Sequence, residues 1–169
     1  MSNPEDLLVR MQDLCGFMAR LSGTPAELLQ APMAKGKWSI QEVVAHIMVY
    51  DETFLHSVVL ALTEGKEPRV PDPADNQSFN ESAAAVGRNM TKEQLIARAI
   101  RARRELVDHL RRLPAQAFDA KLEGSGAGDL AELLNDDFVS HDRIHVKQME
   151  EYLDRGLPVV EPPDSGSTG

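Results

Sequence analysis

One cysteine, one tryptophan and two tyrosines in 169 residues leave several routes to a folded protein closed to this chain. Cys15 has no second cysteine to pair with, so no internal disulfide staples the fold, and the thiol reads as belonging to a reducing compartment. Aromatic residues make up only 5% of the chain, and alternating runs of β-branched residues are nearly missing, which argues against a sheet. Positive charge is also short. Lys and Arg number 18 against 27 Asp and Glu, a net charge of −9, so the average field of the protein repels a phosphate backbone and nucleic acid is not an expected partner. The one basic stretch, RARRELVDHLRR at 101–112, is interleaved with Glu105 and Asp108 and reads as the outer face of a helix, Arg103 and Arg104 included. No apolar stretch is expected to approach the roughly 20 residues of a membrane span, because charge interrupts each within a turn or two. The start, MSNPEDLLVR, lacks the basic segment and apolar run of a secretory signal. A cytoplasmic location with no membrane partner is the expectation.

Helix signals, in contrast, are plentiful. Hydrophobic residues account for 42% of the chain, enough for one helical domain with a core of its own. Asn3-Pro4 places a capping side chain before a proline in the first turn. Leu7, Leu8, Met11, Leu14, Met18 and Leu21 then recur at helical spacing until Ser22-Gly23. Thr24-Pro25-Ala26-Glu27 starts a short piece that Pro32 and Gly36 end. Ser39 and Glu42 form a capping box that opens a second helix running to about Thr63, apolar over most of its circumference and therefore central. The proline-rich segment EGKEPRVPDPAD at 64–75 is an irregular crossover, followed by a short helix near 79–86. Thr91 and Gln94 cap a third helix, which Leu113-Pro114 stops. After GSGAG at 124–128, Asp129 and Glu132 cap a fourth that runs to about Asp154, with Gly156 at its end. Residues 1–156 thus read as one domain and 157–169 as a poorly ordered tail rich in Pro, Ser, Gly and acid.

Three of the five histidines form a constellation. His141 and His145 stand four apart on the last helix, a spacing that stacks two imidazoles about 6 Å apart on one face. A wheel over that helix puts both among Leu134, Phe138 and Tyr152 on the core stripe, with Asp137 and Gln148 at its border. Such a pair by itself is more often two hydrogen-bonded core residues than a metal site. His46, about two turns into the apolar second helix, changes the balance. Three imidazoles buried without partners would cost about 1–3 kcal/mol each, whereas one ion satisfies all of them. His56 and His109 fall outside the set, on other faces of their helices. Cys15 lies in an apolar stretch with no basic neighbour in sequence and reads as packing.

The pieces GKWSIQEVVAHI at 36–47, DNQSFNESAAAV at 75–86 with a later LRRLP, and HDRIHVKQMEEYL at 141–153 together resemble the DinB/YfiT-like family, small bacterial four-helix bundles. The resemblance runs from Asp6 to about Leu153. It implies an all-α fold of up-down-down-up topology, often a homodimer, with His46, His141 and His145 as ligands of a divalent metal, zinc before nickel. Trp38 would anchor the chain where it enters the second helix. The activities the family implies are a thiol-dependent S-transferase, foremost, or isomerase using a low-molecular-weight thiol on a small electrophilic substrate, or a metal-dependent hydrolase. A bundle that binds a ligand or metal without turnover is a further alternative. No polymerase activity is implied. Three nitrogen ligands and an open position are the arrangement in which zinc brings a bound thiol or water toward a pKa of about 7. Helix phase puts Asp137, Tyr50, Glu42 and Asp142 within reach as proton carriers. Asp137 could orient His141, face solvent or ligate, in that order of preference.

Overall fold

The computed structural model describes residues 3–71, 76–123, 126 and 128–156. The expected tail at 157–169, the end of the crossover at 72–75 and most of the GSGAG segment lie outside the described residues. The fold is all-helical, in chain order α1 (Pro4–Leu21), α2 (Ala26–Gln30), α3 (Ile40–Phe54), a π-helical segment (Leu55–Val59), α4 (Leu60–Thr63), α5 (Asn76–Arg88), α6 (Lys92–Arg111), a 3-10 turn (Ala115–Asp119), α7 (Leu130–Leu134), a second π-helical segment (Asn135–Ser140) and α8 (His141–Arg155). Local sequence sets most of these limits. Asn3 accepts from the Glu5 amide ahead of Pro4, while Ser39 with Glu42, Thr91 with Gln94 and Asp129 with Glu132 each form reciprocal capping boxes. Gly156, with φ of 76°, ends α8 in the left-handed region a side chain disfavours.

The central helix is α3, which packs against α5 and α6, while α1 lies on α6. Because α3, the π segment and α4 run on without a break, Ile40–Thr63 is long and apolar enough by length and composition to cross a membrane. That corrects the expectation that no stretch approaches such a span. Its apolar side chains are used inside the protein: Ile40, Val43, Val44, Ile47, Met48, Phe54, Val58 and Val59 are all buried, covered by the neighbouring helices. The first π segment has a local cause. Thr53 and Ser57 turn their hydroxyls back onto the carbonyls of Val49 and Thr53, at 2.8 and 2.6 Å, which loosens the α ladder. The Ser57 carbonyl accepts instead from the amide of Arg69 in the crossover.

The helix after the crossover is longer than its sequence suggested, spanning Asn76–Arg88 instead of 79–86. Gln41 fastens it to α3, its amide nitrogen donating to the carbonyls of Gly87 at 2.6 Å and Met90 at 3.0 Å. Gly87 is required by this approach: a Cβ there would lie 2.5 Å from the Ala45 Cβ.

The core falls into two apolar clusters. One gathers Leu7, Met11, Phe54, Val58, Leu106 and Leu134 with their neighbours, and the other Leu14, Met18, Ile47, Met48, Ala99 and Tyr152 with theirs. Between them lies a polar layer. Arg103 is entirely buried, its Nε and Nη2 donating to Asp51 at 2.8 and 3.0 Å, and its Nη1 donating to Asp142 and to the Met11 carbonyl. Nη2 also reaches Asp142, at 3.3 Å, so all five guanidinium protons are used. Arg103 is thus not on the outer face of its helix, as its place among other arginines suggested. It falls on the same stripe as Ala99, Ala102, Leu106 and Leu110.

Candidate metal centre

The second π segment delivers the last helix to the site. It ends at Ser140, and α8 starts at His141. The surplus residue of a π turn rotates the downstream helix relative to the upstream one. Leu134 and Phe138 are buried before the junction, and Asp142, Met149 and Tyr152 after it. His141 therefore does not sit in the middle of the core stripe. Asp142 does, held by Arg103, while His141 is the most open of the three site histidines and His46 and His145 are half-buried.

The structure nevertheless brings the three together. One ring nitrogen from each of His46, His141 and His145 lies within 4.8 Å of the others. His141 Nε2 and His145 Nε2 are 3.2 Å apart. Two nitrogens bound at about 2.0–2.1 Å to one tetrahedral ion stand about 3.4 Å apart, so this pair has the separation that a shared ion asks for. The His46 ring meets those of His141 and His145 edge-on, with centroids 5.9 and 5.8 Å away. Trp38 lies on another side of His46 at 5.5 Å, and Phe79 at 6.3 Å. Trp38 is half-buried, packed against the second apolar cluster on one hand and beside His46 on the other, so it walls the site.

Electrostatics favours ligand chemistry. Burial, and then the neighbouring imidazoles of His145 and His141, lower the pKa of His46 to about 4, with contact from Asn80 pulling the other way. Burial and the proximity of His141 lower His145 to about 4 as well, against a smaller opposing contribution from Gln148. Both rings are therefore neutral at pH 7 and carry a free lone pair. Each also has a buried Nδ1 with no hydrogen-bond partner, a deficit worth about 1–3 kcal/mol per group. Neutral rings and converging nitrogens together fit a soft or borderline divalent cation.

The surrounding polar groups are arranged differently from their helix phase alone. Asp137, exposed, accepts a hydrogen bond from the Tyr50 phenol at 3.2 Å; orienting His141 is not its role in this structure. Burial and the Asp137 carboxylate push the Tyr50 phenol above its ordinary range. Glu42 is committed to its capping box and to Arg88, at 2.9 Å. Asp142, beside His141 in sequence, is committed to Arg103. Burial pushes the carboxyls of Asp51 and Asp142 upward, and Arg103 pulls both back. His56 is exposed, and His109 turns its Nδ1 to the Glu105 carbonyl at 2.8 Å; neither joins the site. Between the histidines and the Arg103 layer is a space of about 10 Å³, bounded by His46, Tyr50, Asp137 and His141 on one side and by Asp51 and Arg103 on the other. It has room for about one water.

Arg103 and Asp51 are the residues near the site that sequence reasoning missed. The signal was their phase: Asp51 stands four residues from both Ile47 and Leu55 on the apolar face of α3, and Arg103 sits between Ala99 and Leu106 on α6. Opposite charges on two apolar stripes call for each other.

A helical bundle that gathers three histidines from two of its helices defines the class. The particular family is given by the sequence profile of the DinB superfamily, which matches residues 12–149; the chain belongs to that superfamily. No curated protein and no solved structure matches it.

Proposed function

We propose that His46, His141 and His145 hold one divalent metal ion, zinc in preference to nickel, and that the protein is a metal-dependent enzyme transferring a small thiol to an electrophilic substrate. The carrying observation is the convergence of three ring nitrogens within 4.8 Å, two of them on rings held neutral. The proposal includes a four-helix arrangement of up-down-down-up order within residues 1–156, in which α1, the Ile40–Thr63 helix, α6 and the Leu130–Arg155 run are the four members.

When bound, such an ion supplies Lewis acidity that brings a coordinated thiol or water toward a pKa of about 7. The chain's own residues do the rest. His46 and His145, neutral at pH 7, need shed no proton before they ligate. Trp38 and Phe79 flank His46 and keep water from its ring. The Asp137 carboxylate, held by the Tyr50 phenol at the open side, is placed to accept the proton a thiol loses and to return it to the product. A hydrolase would use the same groups, with water in place of the thiol; turnover of an alkylating electrophile with and without added thiol separates the two.

Metal analysis tests the foundation. Protein prepared without a histidine tag is expected to carry about one ion per chain, lost in His46→Ala and in His141→Ala while helical circular dichroism is kept. Equal metal content in wild type and both variants, or none in any of them, would remove the proposal.

A further inference from the structure

A larger pocket, of about 400 Å³, shares His145 as part of its lining. One wall is the connection between α2 and α3, folded back on itself: Met33 donates its amide to the Trp38 carbonyl, Lys37 donates to Ala34, and Gly36 makes the turn with φ of 72°. The other wall is about the last three turns of α8, from His145 to Arg155. Met33, Trp38 and Val43 make one part apolar, while Lys37 and Arg155 bring two cations to it. Among the described residues neither cation is in an ion pair. Glu151 is the single acid in the lining and Gln148 its neutral polar group, so the pocket carries a positive excess on a chain whose net charge is −9. A space of this size suits a small organic molecule. Local charge against the global sign marks a place that selects what enters it.

We infer that this pocket seats a small amphipathic carboxylate, its apolar body against Trp38, Met33 and Val43, its carboxylate at Lys37 and Arg155, and its far end at His145. That the end at His145 is the reacting one rests on the functional reading above; the preference for a carboxylate does not. Lys37 and Arg155 are then specificity residues. The bound molecule is either the thiol or the acceptor, and in both cases carries an acid group remote from the reacting atom.

Trp38 is the only tryptophan of the chain and lines the pocket, so its emission reports occupancy without any turnover. The full-length protein is titrated with 3-phenylpropionate and with 3-phenylpropionamide, which share shape and differ in charge. The carboxylate is expected to shift Trp38 emission with an affinity about tenfold tighter than the amide. In Lys37→Gln/Arg155→Gln the carboxylate should fall to the level of the amide, with amide binding unchanged. Both positions are exposed, so the fold is not at stake. Equal affinity for the two probes, an unaltered preference in the double variant, or no emission change with either up to about 10 mM would overturn the inference. Metal content of the wild-type protein, read beside the titration, separates this inference from the metal reading. Carboxylate preference in wild-type protein that binds no metal leaves the pocket standing and the metal reading lost, and wild-type protein that binds metal without preference does the reverse.

Discussion

Arg103 is the residue on which the interior turns. A guanidinium with no exposure, between two carboxylates and stacked 5.4 Å above the Phe138 ring, gains its place only because every donor is met. Taking charges out of water costs several kcal/mol per ion, and the pairing offsets that cost only while complete. Arg103→Met should therefore lower stability by about 3–5 kcal/mol in urea denaturation, because it strands Asp51 and Asp142 without a counter-charge. The triple change Arg103→Met/Asp51→Leu/Asp142→Leu should recover most of that loss, since apolar side chains of similar size leave nothing unpaired. A single variant within about 1 kcal/mol of wild type would show that water reaches the layer and that the ions are not desolvated. Through Asp142 the same residue fixes the rotation of α8 one position from His141, so the triple variant, though stable, should bind metal less tightly than wild type.

At the scale of elements, the two π segments matter most. Each interrupts a long helix beside the site, and the second sets which residues of α8 face inward. Deleting Asp136, an exposed residue of that segment, removes the surplus residue and turns α7 relative to α8 by about 100°. Leu133 and Leu134 then cannot stay buried together with Phe138, Asp142, Met149 and Tyr152. Thermal unfolding should show the deletion far less stable than Asp136→Ala, whose own effect should stay within about 0.5 kcal/mol. Equal melting of the two would mean that the segment does not set the phase. This element also shows where sequence reading stopped. Helix starts were legible because caps are local chemistry: Asn3, Ser39, Thr91 and Asp129 act on amides two or three residues away. The histidine trio was legible because His141 and His145 stand four apart on one helix and His46 lies on the apolar second helix. A π turn leaves no such mark in composition, and a wheel at a constant 100° carried Leu134 and His141 onto one stripe across a junction that rotates them apart. The burial of Arg103 was hidden for another reason: its neighbours Arg101 and Arg104 lie on the outer face, and a run of like residues masks the one whose phase differs.

For the whole molecule, the balance of buried titrating groups sets a pH dependence. His46 and His145 hold pKa values of about 4 in the folded protein, against about 6.5 in an unfolded chain. As pH falls from 6.5 to 4 the unfolded state takes up protons first, so stability should drop across that window. Asp51 and Asp142 act oppositely. With folded pKa values raised, they take up protons first in the folded state as pH falls, and offset part of the loss in the carboxylate range. Metal-stripped protein should therefore lose stability between pH 7 and pH 5, by a few kcal/mol at most given the partial exposure of the rings. His46→Gln/His145→Gln should flatten that slope. An unchanged slope in the double variant would assign the acid sensitivity elsewhere.

The polar layer between the two apolar clusters has a mechanical meaning as well. Helices whose contacts are wholly apolar can slide along one another by a turn, about 5.4 Å, and find another set of greasy neighbours. Here α1 contributes a carbonyl, α3 and α8 a carboxylate each and α6 the guanidinium to a single stratum. A one-turn slip of α3, α6 or α8 carries a charge into hydrocarbon and empties its berth, and a slip of α1 withdraws the carbonyl that one guanidinium proton needs. The stratum works as a detent: axial travel is not graded but stopped, and the histidines one step away inherit their alignment from that stop.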